Sequence, residues 1–213
     1  MNRRNMLLTF GFALALTLGG PALAETTPAN DGTGDMFIGK ADAPITIIAY
    51  ESLLCPHCAA FHVGTLPKLK EQYVDKGLVK IIFREYPGTS REPWARIPAM
   101  MARCLGPDRY FSMIDLMFKD QEKWTKADTG QQLLDNVAAY GRLAGMTKEQ
   151  FDECMKNEKM LRAMAERWRE GVEKHSLEGT PHFVIGAARI QGNRPIEEFE
   201  KVLKPLVDKL PKN

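Results

Sequence analysis

The chain has 213 residues, 29 Lys and Arg against 27 Asp and Glu, and 44% apolar residues. That balance offers no basic field for nucleic acid, and the length suits one well-sized core. Nothing after residue 24 is apolar for long enough to span a bilayer.

Residues 1–24 read as an export signal. Arg3 and Arg4 give a positive start, Met6 to Leu18 is almost continuously apolar, and Ala22-Leu23-Ala24 is a small-x-small cleavage site. The arginine pair also suits a twin-arginine route. Cleavage after Ala24 removes both arginines and leaves a chain of formal neutrality. Either route leads to the bacterial periplasm, an oxidising compartment that favours disulfides.

Residues 25–35 are polar and form a loose leader. Ile45 to Tyr50 is nearly all apolar and β-branched, as expected of a strand buried on both faces. A helix starts at Pro56, where the missing N–H costs nothing. Leu66, Leu69 and Tyr73 continue it at helical spacing to Gly77, with a kink expected at Pro67. Leu78 to Tyr86 is a second buried strand, so this region is a right-handed βαβ unit.

Residues 93–175 carry only helical signals, with Gly106-Pro107 and Gly145 as punctuation and Thr147, followed by Glu149, as an N-cap. Met100, Met101, Met113 and Met117 read as core filler there. "HFVIG" and "ARIQG" then form a hairpin, and Pro195 to Leu210 a final amphipathic helix.

The chemistry concentrates in "AYESLLCPHCAAFH", Ala49 to His62. With Pro56 in the first turn, Cys55 sits at the helix N-cap, where free N–H groups and the helix dipole favour its thiolate. His57, protonated or donating, adds to that effect. Cys58 lies one turn deeper, within reach of Cys55. A stabilised thiolate favours the reduced pair and makes the disulfide easy to pass on. Two other readings stay open. A zinc site needs about four ligands, of which Cys58 and His62 share one helix face. A purely structural 55–58 disulfide would constrain little chain entropy.

CPHC after a buried strand, a helical insertion, and "GTPHFVIG" before a hairpin together resemble the DsbA family of thiol:disulfide oxidoreductases. The likeness runs from about Met36 to Leu210. It implies an α/β thioredoxin fold, βαβ…ββα, with an inserted all-helical domain: thioredoxin-like segments at 36–92 and 176–213, the insertion at 93–175. It assigns Cys55 as nucleophile, Cys58 as resolving cysteine, and Pro56 and His57 as the tuning residues between them. Pro181 matches the family's cis-proline, placing Thr180 beside the disulfide to pair with a substrate strand. The implied partners are unfolded or newly exported cysteine-containing proteins and a DsbB-type membrane oxidase. The protein would act as a monomer, with no metal and no cofactor beyond the redox-active disulfide. Disulfide isomerase or reductase activity, or a non-catalytic chaperone or metal-binding module with the same fold, are the competing functions.

Two departures from the family pattern stand out. The acid that thioredoxin folds commonly bury six residues before the first cysteine is replaced by Ala49, while Glu51 keeps the same strand parity and offers a proton acceptor or a plain strand-end polar group. Thr180 stands where the best-known branch has Val. Some DsbA branches carry a second disulfide, which implies a structural Cys104–Cys154 bond; a redox-coupled pair and two buried thiols are the alternatives. His62 and His175 read as solvated, and His182 as a residue at the edge of the site.

Overall fold

The computed structural model describes residues 31–89 and 92–211. The expected signal, its cleavage at Ala24 and the first part of the leader lie outside the described residues.

A five-stranded sheet with the order β1-β3-β2-β4-β5 organises the chain. Its centre is β2 (Ile45–Glu51), whose Ile47, Ala49 and Tyr50 are fully buried. β2 runs parallel to β3 (Val79–Glu85), with Ile47 opposite Ile81. The second strand thus starts one residue later than the sequence suggests. Tyr86 N–H still donates to Glu51 O (2.7 Å), so the pairing continues past the strand. The hairpin of β4 (His182–Ile185) and β5 (Ala188–Gln191) adds antiparallel to the other side of β2. β1 (Met36–Ile38) pairs antiparallel with β3 and has no counterpart in the sequence reading. Three residues are too few to show a period of two.

The crossover begins with α1 (Pro56–Gly64). Pro67 interrupts it rather than kinking it. α2 (Leu66–Leu69) starts afresh with the proline in its first turn, and a π-helical turn, Lys70–Val74, follows. The bond that proline denies to the Val63 carbonyl is bypassed by Thr65 N–H to Phe61 O and Leu69 N–H to Thr65 O. Leu66, Leu69 and Tyr73 nonetheless stay on one buried face.

The helical block contains α3 (Arg96–Cys104), α4 (Pro107–Lys119), α5 (Gln121–Trp124), α6 (Gly130–Leu143), α7 (Lys148–Met155) and α8 (Glu158–His175). Gly106, at φ 83°, makes the turn that lets Pro107 open α4. Thr147 caps α7 in a full capping box, with Gln150 rather than the neighbouring Glu149 as its partner. α9 (Ile196–Val207) closes the chain. The block does not have a core of its own: Met100, Met101, Met113 and Met117 join Ile47, Phe61 and Ile81 in one apolar cluster.

Two links fasten the block. Cys104 and Cys154 form a disulfide between the end of α3 and α7. Arg103, 1% exposed, reaches back to β3: Nε and Nη2 donate to the two Glu85 carboxylate oxygens (2.8 and 2.7 Å). Its Nη1 donates to the carbonyls of Gly32 and Gly34, and Tyr110 Oη donates to Glu85 as well. A buried guanidinium with all its planar edges engaged offsets its own desolvation.

The disulfide closes a loop with a sequence separation of 50. Loop-closure entropy gives it about 4 kcal/mol. A Cys104→Ala, Cys154→Ala variant is therefore expected to unfold at lower denaturant by that amount, while Cys55 alkylates as before.

Candidate active site

Cys55 is the N-cap of α1, in extended conformation, with Pro56 at the first helical position. The chain enters the helix so that Cys58 N–H and Ala59 N–H both donate to Cys55 O (3.1 and 3.2 Å). Cys55 is half-buried and Cys58 fully buried; neither is in a disulfide.

The two sulfurs are driven in opposite directions. The Cys58 thiol donates to Cys55 and is the main reason that the Cys55 pKa falls to about 5, against the effect of burial. The Thr180 side chain and the N–H groups of Cys58 and His57 add to it. These N–H groups make no full cap hydrogen bond to the neutral thiol, so they act on the thiolate. Cys58 is pushed well above the ordinary thiol range, by burial first, then by the bond to Cys55 and the charge of Glu51. The pair thus has a ready nucleophile and a neighbour that holds its proton.

The expected companions are in place around this pair. The Thr180–Pro181 peptide is cis, and the Cys55 thiol donates to Thr180 O (3.3 Å). His57 is exposed, and its backbone N–H is among the groups that favour the Cys55 thiolate. A cleft of about 310 Å³ opens beside Cys55, walled by Ser52, Leu54, Tyr86, Trp168, Glu178 and Thr180.

Three histidine readings change. His62 is not solvated. It is buried, stacks on Phe118 (centroids 3.9 Å apart), and holds Glu51 Oε2 at 2.6 Å and Asp115 Oδ1 at 3.3 Å. Burial alone would lower its pKa, but Glu51 and Asp115 raise it to about 9. Its place four residues after buried Cys58, on the same helix face, was the available signal. His175 is half-buried, with Arg189 Nη2 2.9 Å from its Nδ1. His182 does not line the cleft; β4 carries it into the interior, at 1% exposure.

Gln121 was missed altogether. From α5 its Nε2 donates to Leu53 O (2.7 Å) and Cys55 O (3.0 Å), so the helical block clamps the turn into α1. Among the described residues, no three His, Cys, Asp or Glu side chains gather as a metal site would require.

A strand, a cap cysteine, a buried second cysteine and a cis-proline against the first sulfur define the thioredoxin class of thiol–disulfide site. Residues 31–205 match the family described as Thioredoxin, and the chain belongs to that family. The fold is that of solved DsbA proteins. Wolbachia pipientis α-DsbA1 superposes with a TM-score of 0.73 at 25% identity, over 83% of this chain and 92% of that one. BdbD of Bacillus subtilis gives 0.62 at 22% identity, over 85% and 96%. In sequence, a Rickettsia bellii protein whose name proposes a protein-disulfide oxidoreductase is 29% identical over 74% of this chain and 59% of its own length. A Bacillus anthracis protein, named probable disulfide bond formation protein D, is 24% identical over 95% and 93%. The chain thus spans about three fifths of the Rickettsia relative.

Two expectations follow. Thr180→Val removes a hydrogen bond to the Cys55 thiolate, so the alkylation midpoint of reduced protein rises above about 5. His62, with its pKa raised from 6.5 to about 9, stabilises the fold fully below pH 6.5 and loses that contribution as pH rises through 9. The change is on the order of 3 kcal/mol. Denaturant unfolding of oxidised protein at pH 6 and pH 9.5 checks it, and His62→Gln is expected to flatten the difference. Oxidised protein is needed because the depressed Cys55 pKa acts the opposite way, stabilising reduced protein above pH 9 and losing that as pH falls toward 5.

Proposed function

We propose that this protein is an exported thiol:disulfide oxidoreductase, which passes a Cys55–Cys58 disulfide to cysteine-containing proteins in the periplasm. The observation that carries this reading is the opposed pair of sulfurs, with the acidic one at the mouth of a cleft beside Thr180. The relatives' names and the DsbA fold support the same reading.

The unequal burial and acidity of the two sulfurs support the following steps. A substrate thiolate attacks the accessible Cys55 sulfur. The Cys55–Cys58 bond breaks, its electron pair goes to Cys58, and Cys58 takes up a proton. The substrate is then held by a mixed disulfide at Cys55, against the backbone of Thr180. A second substrate thiolate attacks the substrate sulfur of that bond, and Cys55 leaves as a thiolate. Its low pKa makes it a good leaving group. The substrate has lost two electrons and the enzyme has gained them. Recharging requires an oxidant, for which a DsbB-type membrane partner is the family's answer. The monomer is sufficient, since every group named comes from one chain.

Oxidation of reduced ribonuclease tests the reading. Wild-type protein in its disulfide form is expected to oxidise it, and Cys55→Ala and Cys58→Ala, neither of which can form the Cys55–Cys58 bond, to be inactive. Reduced wild type should alkylate with a midpoint near pH 5. A midpoint at the free-thiol value of about 8.5 would remove the basis for the proposal.

A further inference from the structure

Breaking the Cys55–Cys58 bond leaves negative charge on a sulfur that water does not reach. Cys58 is 0% exposed, so the proton that neutralises it has to be handed over from within the protein. The carboxylate whose charge bears on Cys58 is that of Glu51, at the end of β2. Its Oε2 is 2.6 Å from His62 Nε2, whereas its Oε1 is buried without a hydrogen-bond partner. On the far side, His62 Nδ1 is 3.3 Å from Asp115 Oδ1, whose side chain is 48% exposed. His62 and Asp115 together reach the floor of an open groove of about 460 Å³ between α1, α2 and α4. Titratable groups therefore run from the carboxylate whose charge reaches the inner sulfur out to solvent.

We propose that His62, acting through Glu51, stores the proton that Cys58 takes up when it is expelled, with Asp115 holding the other edge of the ring. This rests on the oxidoreductase reading and adds a proton-holding residue to it. When the disulfide is attacked, the imidazolium gives its Nε2 proton to Glu51, and Glu51 gives a proton to the Cys58 sulfur. His62 is left as neutral imidazole, still donating from Nδ1 to Asp115. Because its pKa is about 9 with both thiols free, His62 then regains a proton from solvent at the groove, and on reoxidation the Cys58 proton leaves through Glu51 towards that same opening. The store is therefore refilled through the groove and needs no water at the sulfur.

The surroundings of His62 suit this task. Glu51 from β2 and Asp115 from α4 favour the imidazolium, Phe61, Phe83 and Phe118 enclose it, and Cys58 lies one turn back on α1. Around the groove, Lys70 and Lys119 oppose the charge while Glu71 and Asp75 favour it. Against burial, the two carboxylates raise the His62 pKa to about 9, so the proton is present at neutral pH. A lysine in this place could not release its proton so readily; imidazole can hold or give one within the working range.

The test is the stopped-flow rate at which a reduced dithiol peptide attacks the oxidised protein, expressed per peptide thiolate from pH 6 to 10. In wild type this rate is expected to hold at neutral pH and fall through about 9. His62→Gln, which keeps a donor to Glu51 but has no proton to give, is expected to lose about 100-fold at pH 7 together with the inflection. Asp115→Asn removes one support of the imidazolium, and its inflection should move below that of wild type. The comparison reaction is thiol attack on a Cys58→Ala variant carrying glutathione at Cys55. There the expelled sulfur is Cys55 or glutathione, so His62→Gln in that background should match its parent. Equal rates and profiles in wild type and His62→Gln would overturn the proposal. So would an equal loss in the Cys58→Ala background, which would mean a general distortion of the site. Failure of the oxidoreductase reading looks different: wild type itself would not oxidise the peptide.

Discussion

The hydrogen bond from the Cys58 thiol to the Cys55 sulfur is the interaction on which the rest depends. It requires one sulfur to be stripped of solvent and the other left at the surface, one helical turn away. The helix supplies the spacing, since residues three apart lie on neighbouring lines of its face. The sheet supplies the burial, because α1 packs Cys58 and Phe61 against β2 and β4. Burial then raises Cys58, and its retained proton lowers Cys55. Burial would raise Cys58 by itself, but the proton it keeps is the largest cause of the low Cys55 pKa, so the site behaves as a unit whose proton is pinned to the inner sulfur.

Such a pair works only if the turn into α1 cannot drift. Two remote segments fix it. Thr180, brought in by the strand hairpin, takes the Cys55 thiol from one side. Gln121, from the helical block, holds the carbonyls of Leu53 and Cys55 from the other. The insertion is therefore more than a cover over the sheet. It has a direct grip on the loop that carries the nucleophile, and that grip is fastened in turn by Arg103 on Glu85 and by the Cys104–Cys154 bond.

What the sequence disclosed follows from how local each signal is. CPHC after a β-branched run specifies a cap, a helix and a buried second sulfur within a few residues. The Thr180–Pro181 bond is a local choice too, though only the resemblance to a family pointed to cis. His62, Arg103 and Gln121 were misread or missed because their partners lie elsewhere in the chain: Asp115 is 53 residues from His62, and Cys55 is 66 from Gln121. An Arg beside a Cys in an amphipathic helix looks like a solvated charge until the fold puts Glu85 under it. Periodicity reports which face is buried, but not which charges meet there.

The register of the two parallel strands explains why charges meet at this spot. Glu51 and Glu85 are direct partners at the ends of β2 and β3, so two buried carboxylates stand side by side about 5 Å apart at the backbone. A small cavity bounded by Tyr110, Ile114 and Phe118 adjoins both. Left alone they would repel across a dry interior. Each is instead met by a cation from a different helix, but the two cations differ in kind. Arg103 is charged at any pH the protein meets, and its carboxylate is committed to holding α3 and α4 on the sheet. His62 can lose its charge, and its carboxylate is the one that faces the redox sulfurs. The strand ends thus separate a permanently charged anchor from a titratable one, and the titratable member lies on the same helix as the two cysteines.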